Sequence, residues 1–300
     1  MHKNNFDFLR LLFAVFVVIH HCYPLSGISE QDPLFYLTEG KVSLTYIGVR
    51  GFFIISGYLI FQSLVRSKDL IDYFTKRILR IYPALIVVLF FSVFICALAF
   101  NGSLVDYFSS KKTWSYAFIN ITMVKGQSVI PGVFENNPFK QIINGSLWTI
   151  AYEMSMYFFI APLFFIKNSS KKTMLSVVTL MLVVLFIGRI FFMEQLKTMH
   201  VILMLDFWVN FAILFMIGAL LSIIEIEKIP YKIPVLVVSL FLLLICLPLN
   251  QFEYIQYFLL PIIVILIGST YLKITSTITE KIGDISYGTY IYGFLLQQLI

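Results

Sequence analysis

The chain of 300 residues is 59% hydrophobic and 13% charged, with a mean hydropathy of +0.89, and its apolar residues fall in long runs rather than stripes. That excludes an ordinary water-soluble domain, and runs such as Leu175 to Ile190 lack the alternation of barrel strands, leaving an all-α polytopic integral membrane helical bundle. The net charge of +6 does not imply nucleic acid: with the N-terminus inside, 14 Lys and Arg fall on inner segments and 6 on outer ones, so the surplus orients the chain.

Nine spans are predicted, at about 8–25, 46–65, 81–100, 145–166, 174–192, 204–224, 233–249, 255–272 and 285–300. The first lacks a small-residue cleavage site and reads as a retained span, not a signal peptide. It carries the most informative pair of the chain. At about 100° per residue, Arg10 and His21 share one helix face, about 16 Å apart along the axis, and His20 points elsewhere. An ionisable group inside a span faces protein or a water-filled cavity by default, so His21 reads as a catalytic histidine with Arg10 at the mouth to hold an anion. Snorkelling of both to the interfaces is the competing reading.

In the second span, Gly51 and Gly57 permit close helix approach, while Ser56 and Tyr58 offer hydroxyls inside lipid. Arg50 before them is expected to face an outer vestibule or a carboxylate. Lys76 to Pro83 reads as a cytoplasmic turn entering the third span. Arg77 and Arg80 would lie on one helix face there, suited to phosphate, with Pro83 in a first helical turn. The positive-inside rule alone would also place arginines at this position.

The outer loop from Asn101 to Asn144 is long, and Trp114 to Val124 within it is apolar but too short to cross, so a re-entrant segment or a surface helix is expected. The fourth span follows Ser146-Leu147-Trp148 and carries Glu153, with Tyr157 one turn on and able to bond its carboxylate. Glu153 is either the partner of His21 or a structural anchor. Arg189 and Asp206, near the outer ends of consecutive spans, are expected to form an ion pair. Cys22, Cys96 and Cys246 each stand alone, so neither a disulfide framework nor a metal site is expected.

Together these pieces resemble the family-three membrane acyltransferases, which include O-acetyltransferases of bacterial surface polysaccharides. The matching residues are Arg10 with ten residues before His21, the Phe52 to Tyr58 run, Arg77 to Pro83, Ser146-Leu147-Trp148 with Glu153, and Gly283-Asp284-Ile285-Ser286-Tyr287. The resemblance implies a single transmembrane acyltransferase domain over residues 1–300, ten spans in relatives against nine here, and hence an end cut short. It also implies a multi-pass protein of the bacterial inner membrane that moves an acyl group, usually acetyl from cytoplasmic acetyl-CoA, to a saccharide hydroxyl, with no permanently bound cofactor. It assigns His21 as catalytic and Arg10, Arg77 and Arg80 to the donor; the residues themselves add Glu153 as the second catalytic candidate, with Ser56, Tyr58, Trp148 and Tyr157 expected to line the cavity. Many relatives carry a histidine after the final Ser-Tyr, where this chain has Tyr292-Gly293. The alternative is a proton-coupled transporter or lipid-carrier flippase with His21 and Glu153 as a proton relay, but no internal symmetry supports it.

Overall fold

The computed structural model describes residues 4–28, 31–124, 126–199, 202–271, 275 and 283–300. Lys3, Lys125, Lys273 and Lys281 of the charge count lie outside them. Among the described residues the chain is helical, with two isolated bridges, Phe100 to Val133 and Val129 to Ile142.

Among the described residues, seven helices are long and apolar enough to cross a membrane. They are α1 (Phe6–Leu25), α3 (Leu44–Arg66), α4 (Leu70–Ile95), α7 (Trp148–Ile160, prolonged by a 3-10 turn to Ile166), α8 (Lys171–Phe191), α10 (Leu205–Ile224) and α12 (Phe252–Ser269). The expected spans at 233–249 and 285–300 are shorter helices, α11 (Lys232–Cys246) of 15 residues and α13 (Ser286–Leu299) of 14. Short helices α2 (Pro33–Leu37), α5 (Leu104–Ser109), α6 (Lys111–Ile121) and α9 (Met193–Thr198) join them. The protein is a polytopic membrane bundle.

The third span differs from its expected bounds. Asp69 accepts the Asp72 N–H as an N-cap, and Lys76 bonds Asp72 at 2.7 Å one turn on, so α4 starts eleven residues before the apolar run. Lys76 to Pro83 is therefore helix interior, not a turn, and Pro83 sits mid-helix. Its ring deprives the Leu79 carbonyl of the usual i−4 bond.

At the centre lies α10, apolar on every face and buried continuously from Phe211 to Ala219. It crosses α3 at backbone contact. A Cβ on Gly57 would stand 1.9 Å from the Phe215 carbonyl oxygen, and one on Gly218 would stand 2.3 Å from that of Ile54. Here small residues let two main chains touch, which in lipid gains dispersion energy that water expulsion does not supply. Towards α1, Gly48 meets the Phe13 main chain and Gly51 makes room for the Phe13 ring.

The long loop after α4 closes one end of the bundle. Its α6 buries Thr113, Tyr116 and Ala117 against α4, giving the Trp114 segment a packed helical face. Its later residues clamp α13: Asn144 Nδ2 donates to the Ile291 carbonyl at 2.7 Å, Asn137 Nδ2 to Gln298 Oε1 at 2.9 Å, and Gln298 Nε2 to the Phe139 and Ile142 carbonyls at 2.8 Å. These bonds fix α13 lengthwise beside α1, where Gly293 abuts Val18.

Candidate active site

Between α1, α3, α4, α7 and α13 runs a cleft whose charged walls are Arg10, Arg80 and Glu153 and whose polar walls include Ser56, Thr149 and Tyr290. Arg10 is only 5% exposed although its helix has barely begun. Burying a guanidinium requires partners, and carboxylates from its own first turn and from a distant segment provide them. Asp284 Oδ2 lies 3.6 Å from Arg10 and 3.7 Å from Arg80, and Asp7 Oδ1 is 3.5 Å from Arg10. The other Asp284 oxygen accepts the Ser286 N–H and hydroxyl at the head of α13. One carboxylate thus joins α1, α4 and α13 and aims two arginines into the cleft.

Arg77 is elsewhere. Its guanidinium donates to Ser63 Oγ at 3.1 Å and sits between the Tyr73 and Tyr157 rings, 5.9 Å from each, so it forms no part of the cleft wall. The i+3 step that makes Arg77 and Arg80 neighbours still separates them by about 60° around the axis, enough to send one inward and one sideways.

Glu153 faces the cleft with Arg10 and Arg80, and Tyr157 donates its hydroxyl to the carboxylate. The expected coupling to His21 is not what the fold makes. His21 packs edge-on against Phe294 with centroids 5.0 Å apart, its ring lies 5.9 Å from that of His20, and its buried Nδ1 has no hydrogen-bond partner. The carboxylate at this end, Asp32, goes to His20 instead, at 2.7 Å from its Nδ1. Glu153 and His21 stand on α7 and α1, and no hydrogen bond or ion pair joins them.

Arg10 and His21 do share a face, since both meet the α13 segment, at Asp284 and Phe294. The cleft reaches Tyr290, whose hydroxyl bonds Thr149 at 2.7 Å and whose ring meets Phe52 edge-on. Phe294 follows Tyr290 by one turn of α13, so the cleft ends about 6 Å along the axis from the ring that supports His21. Ser56 lines the cleft. Tyr58, Trp148 and Tyr157 do not: Tyr58 packs on Phe6, Tyr157 is sealed in the core, and Trp148 lines a neighbouring hollow beside Tyr152 and Met204.

Sequence reasoning gave no role to Asp284, Thr149, Tyr290 or Asp32. Asp284 and Thr149 lay within motifs already singled out. Asp32 carried an N-cap signal before Pro33, and its side chain accepts the Leu34 and Phe35 N–H groups. Arg189 pairs with Glu253 at 2.9 Å and Asn210 at 2.8 Å, not with Asp206, whose Oδ1 is buried without a hydrogen-bond partner. Glu253 extends from the head of α12 over that arginine and takes the position expected of Asp206. Among the described residues no group of three or more His, Cys, Asp or Glu is placed to hold a metal.

Comparison with known proteins places this arrangement. The profile of a family described as an acyltransferase domain, acyltransferase 3, matches residues 3–300. An O-acetyl transferase of Shigella phage Sf6 is similar to the chain, 29% identical over 314 aligned positions that cover 100% of this chain and 86% of the relative. Nodulation protein 10 of Rhizobium leguminosarum bv. viciae is 31% identical over 171 positions, covering 52% of this chain and 42% of its own length. No solved structure matches. A membrane bundle matched by that profile from end to end belongs to the acyltransferase 3 family, and the chain is an acyltransferase.

Proposed function

We propose that the protein is an O-acetyltransferase that takes acetyl from acetyl-CoA at the Arg10 end, which faces the cytoplasm of a bacterial inner membrane, and delivers it to a saccharide hydroxyl near His21. One observation carries this reading. The Arg10 and Arg80 cleft leads to Tyr290, one helical turn from the ring on which His21 packs. Guanidinium groups suit the phosphates of a coenzyme A, and a narrow apolar passage suits the arm that carries its thioester. The O-acetyl transferase name of the phage relative supports the same reaction.

His21, with a buried nitrogen free of any partner, takes the proton of the acceptor hydroxyl. The hydroxyl oxygen attacks the thioester carbon, the C–S bond breaks, an ester C–O bond forms, and the coenzyme thiolate leaves and is protonated. If His21 accepts the acyl group first, its ring nitrogen forms a C–N bond as the C–S bond breaks, and the acceptor oxygen then forms the ester C–O bond as that C–N bond breaks, its proton leaving to the freed imidazole. Arg10 and Arg80 hold the donor and Glu153 balances their charge.

The test is transfer of labelled acetyl from acetyl-CoA to cell-surface saccharide by membranes containing the protein. His21→Ala should abolish transfer while leaving binding of the labelled donor. Retained transfer in that variant overturns the assignment.

A further inference from the structure

On the far side of α3 lies a second hollow, of about 410 Å³, walled by Lys41, Arg50, Arg189, Glu253, Gln256 and Tyr257 among others. It opens at the His21 end, since Asp32, bonded to His20, also accepts the Leu44 N–H at the head of α3. Gly48 and Gly51 turn to α1, whereas Arg50 between them faces α8, α10 and α12. The cleft described above plays no part in it.

Three cations meet here, and two of them have carboxylate partners: Lys41 lies 3.8 Å from the exposed Glu39, and Arg189 pairs with Glu253. Glu253 is 69% exposed and is committed to Arg189, which also bonds Asn210 and lies over the Tyr257 ring at 4.7 Å. Arg50 rests on the Tyr46 ring, 3.3 Å from its centroid, and its buried Nε has no partner. Gln256, fully buried, gives its amide N–H to the Tyr46 hydroxyl and leaves Oε1 unsatisfied. A ring beneath a guanidinium orients the cation but does not neutralise it, and a purely structural arginine would take the nearest carboxylate. With Glu253 on Arg189 and Glu39 3.8 Å from Lys41, the charge of Arg50 is left without a carboxylate beside a volume that holds a small ligand, which suits a phosphate ester.

We infer that the Arg50 hollow is a binding site for a phosphate-bearing ligand, separate from the acyl-donor cleft. The phosphate is held by Arg50 and Lys41, with Arg189 shared between it and Glu253. The phosphate can belong to a membrane lipid headgroup or to a soluble phosphate ester. Binding here needs no turnover, so its measurement stands apart from the acetyl-transfer reading.

The full chain in neutral detergent is titrated with inorganic pyrophosphate by calorimetry, and in parallel its unfolding temperature is read in nanodiscs with and without an anionic phospholipid. Saturable pyrophosphate binding identifies a soluble ester as the source; a nanodisc response without it identifies a lipid headgroup. In either arm Arg50→Gln should weaken the response at least about 10-fold, in line with losing a charge-assisted hydrogen bond. Glu253→Gln should strengthen it several-fold, a sign that a merely structural Arg50 does not predict. Should Arg50→Gln fail to fold, Lys41→Ala replaces it, with a weaker loss expected. No response to either probe, or equal responses in parent, Arg50→Gln and Glu253→Gln, overturns the site.

Discussion

His20 Nδ1 stands 2.7 Å from Asp32 Oδ2, and the Asp32 side chain is entirely excluded from solvent. Its two oxygens also accept the Leu34, Phe35 and Leu44 N–H groups, so one carboxylate ties the end of α1 to the starts of α2 and α3. The adjacent His21 is left without a carboxylate. The two histidines therefore have separable roles: His20→Ala should cost about 1.5–3 kcal/mol of stability, by removing a hydrogen bond to a buried charge, and keep most of the transfer per folded molecule. His21→Ala should fold normally and lose about 10²–10⁴-fold in transfer. Thermal unfolding in detergent and initial transfer rates measure both, and a loss of rate in His20→Ala comparable to that in His21→Ala refutes the division.

Acid should loosen the same junction. Burial pushes the Asp32 carboxyl up, but the hydrogen bonds from His20 and from the Leu44 and Phe35 N–H groups outweigh it and hold the group below its usual range. A carboxyl whose folded pKa is depressed stabilises fully above its unfolded value, about 3.9, and that contribution disappears as pH falls through the folded value. The unfolding temperature of the parent should exceed that of Asp32→Asn at about pH 5, and the margin should shrink below about pH 4. A margin that grows on acidification contradicts the depressed pKa.

The arginines divide by address. Arg80→Ala removes a cleft wall and should raise the KM for acetyl-CoA about 10-fold, with Arg80→Lys recovering part of it because the planar fork is lost. Arg77→Ala removes a wedge between Tyr73 and Tyr157, so it should lower the unfolding temperature and leave the KM near that of the parent. Steady-state kinetics against donor concentration distinguish them; a larger KM effect in Arg77→Ala than in Arg80→Ala reverses the addresses.

Glu153→Gln keeps shape and removes the charge that faces Arg10 and Arg80. With no contact to His21, it should change kcat less than about tenfold, far from the loss expected of His21→Ala. A loss matching that of His21→Ala would make the carboxylate a partner in proton transfer through substrate. Single-turnover rates at saturating donor give the comparison directly.

Gly57→Ala places a methyl 1.9 Å from a main-chain oxygen that belongs to a buried helix and cannot rotate away. The overpacking should cost about 1–3 kcal/mol or prevent folding, whereas Gly188→Ala, with open space around its Cα, should be neutral or mildly stabilising. Unfolding temperatures of the two variants side by side test the contrast.

The spans were legible because an apolar run is a local signal, and the shared face of Arg10 and His21 was legible because helical periodicity is local too. The start of α4 was missed because its first turns are charged and lie outside the apolar run, although Asp69 carried the cap. What could not be read was which carboxylate meets which cation. Asp284 reaches Arg10 across almost the whole chain, Asp32 reaches His20 only after the chain reverses beyond Leu25, and Glu253 displaces Asp206 at Arg189 through the docking of α12 on α8 and α10. These choices are made by tertiary packing, and a sequence states only that each buried charge needs some partner.

The crossing of α3 and α10 at Gly57 and Gly218 also bears on how a long substrate enters. Two main chains in direct contact cannot slide past each other without unseating both, so the Ser56 wall of the cleft behaves as a fixed jamb. The opposite wall is α13, held by side-chain amide bonds to the loop and by ion pairs through Asp284, all of which can be exchanged for bonds to a visiting anion. Of the two walls, α3 is thus held by main-chain packing and α13 by polar bonds, with Asp284 joining it to both arginines.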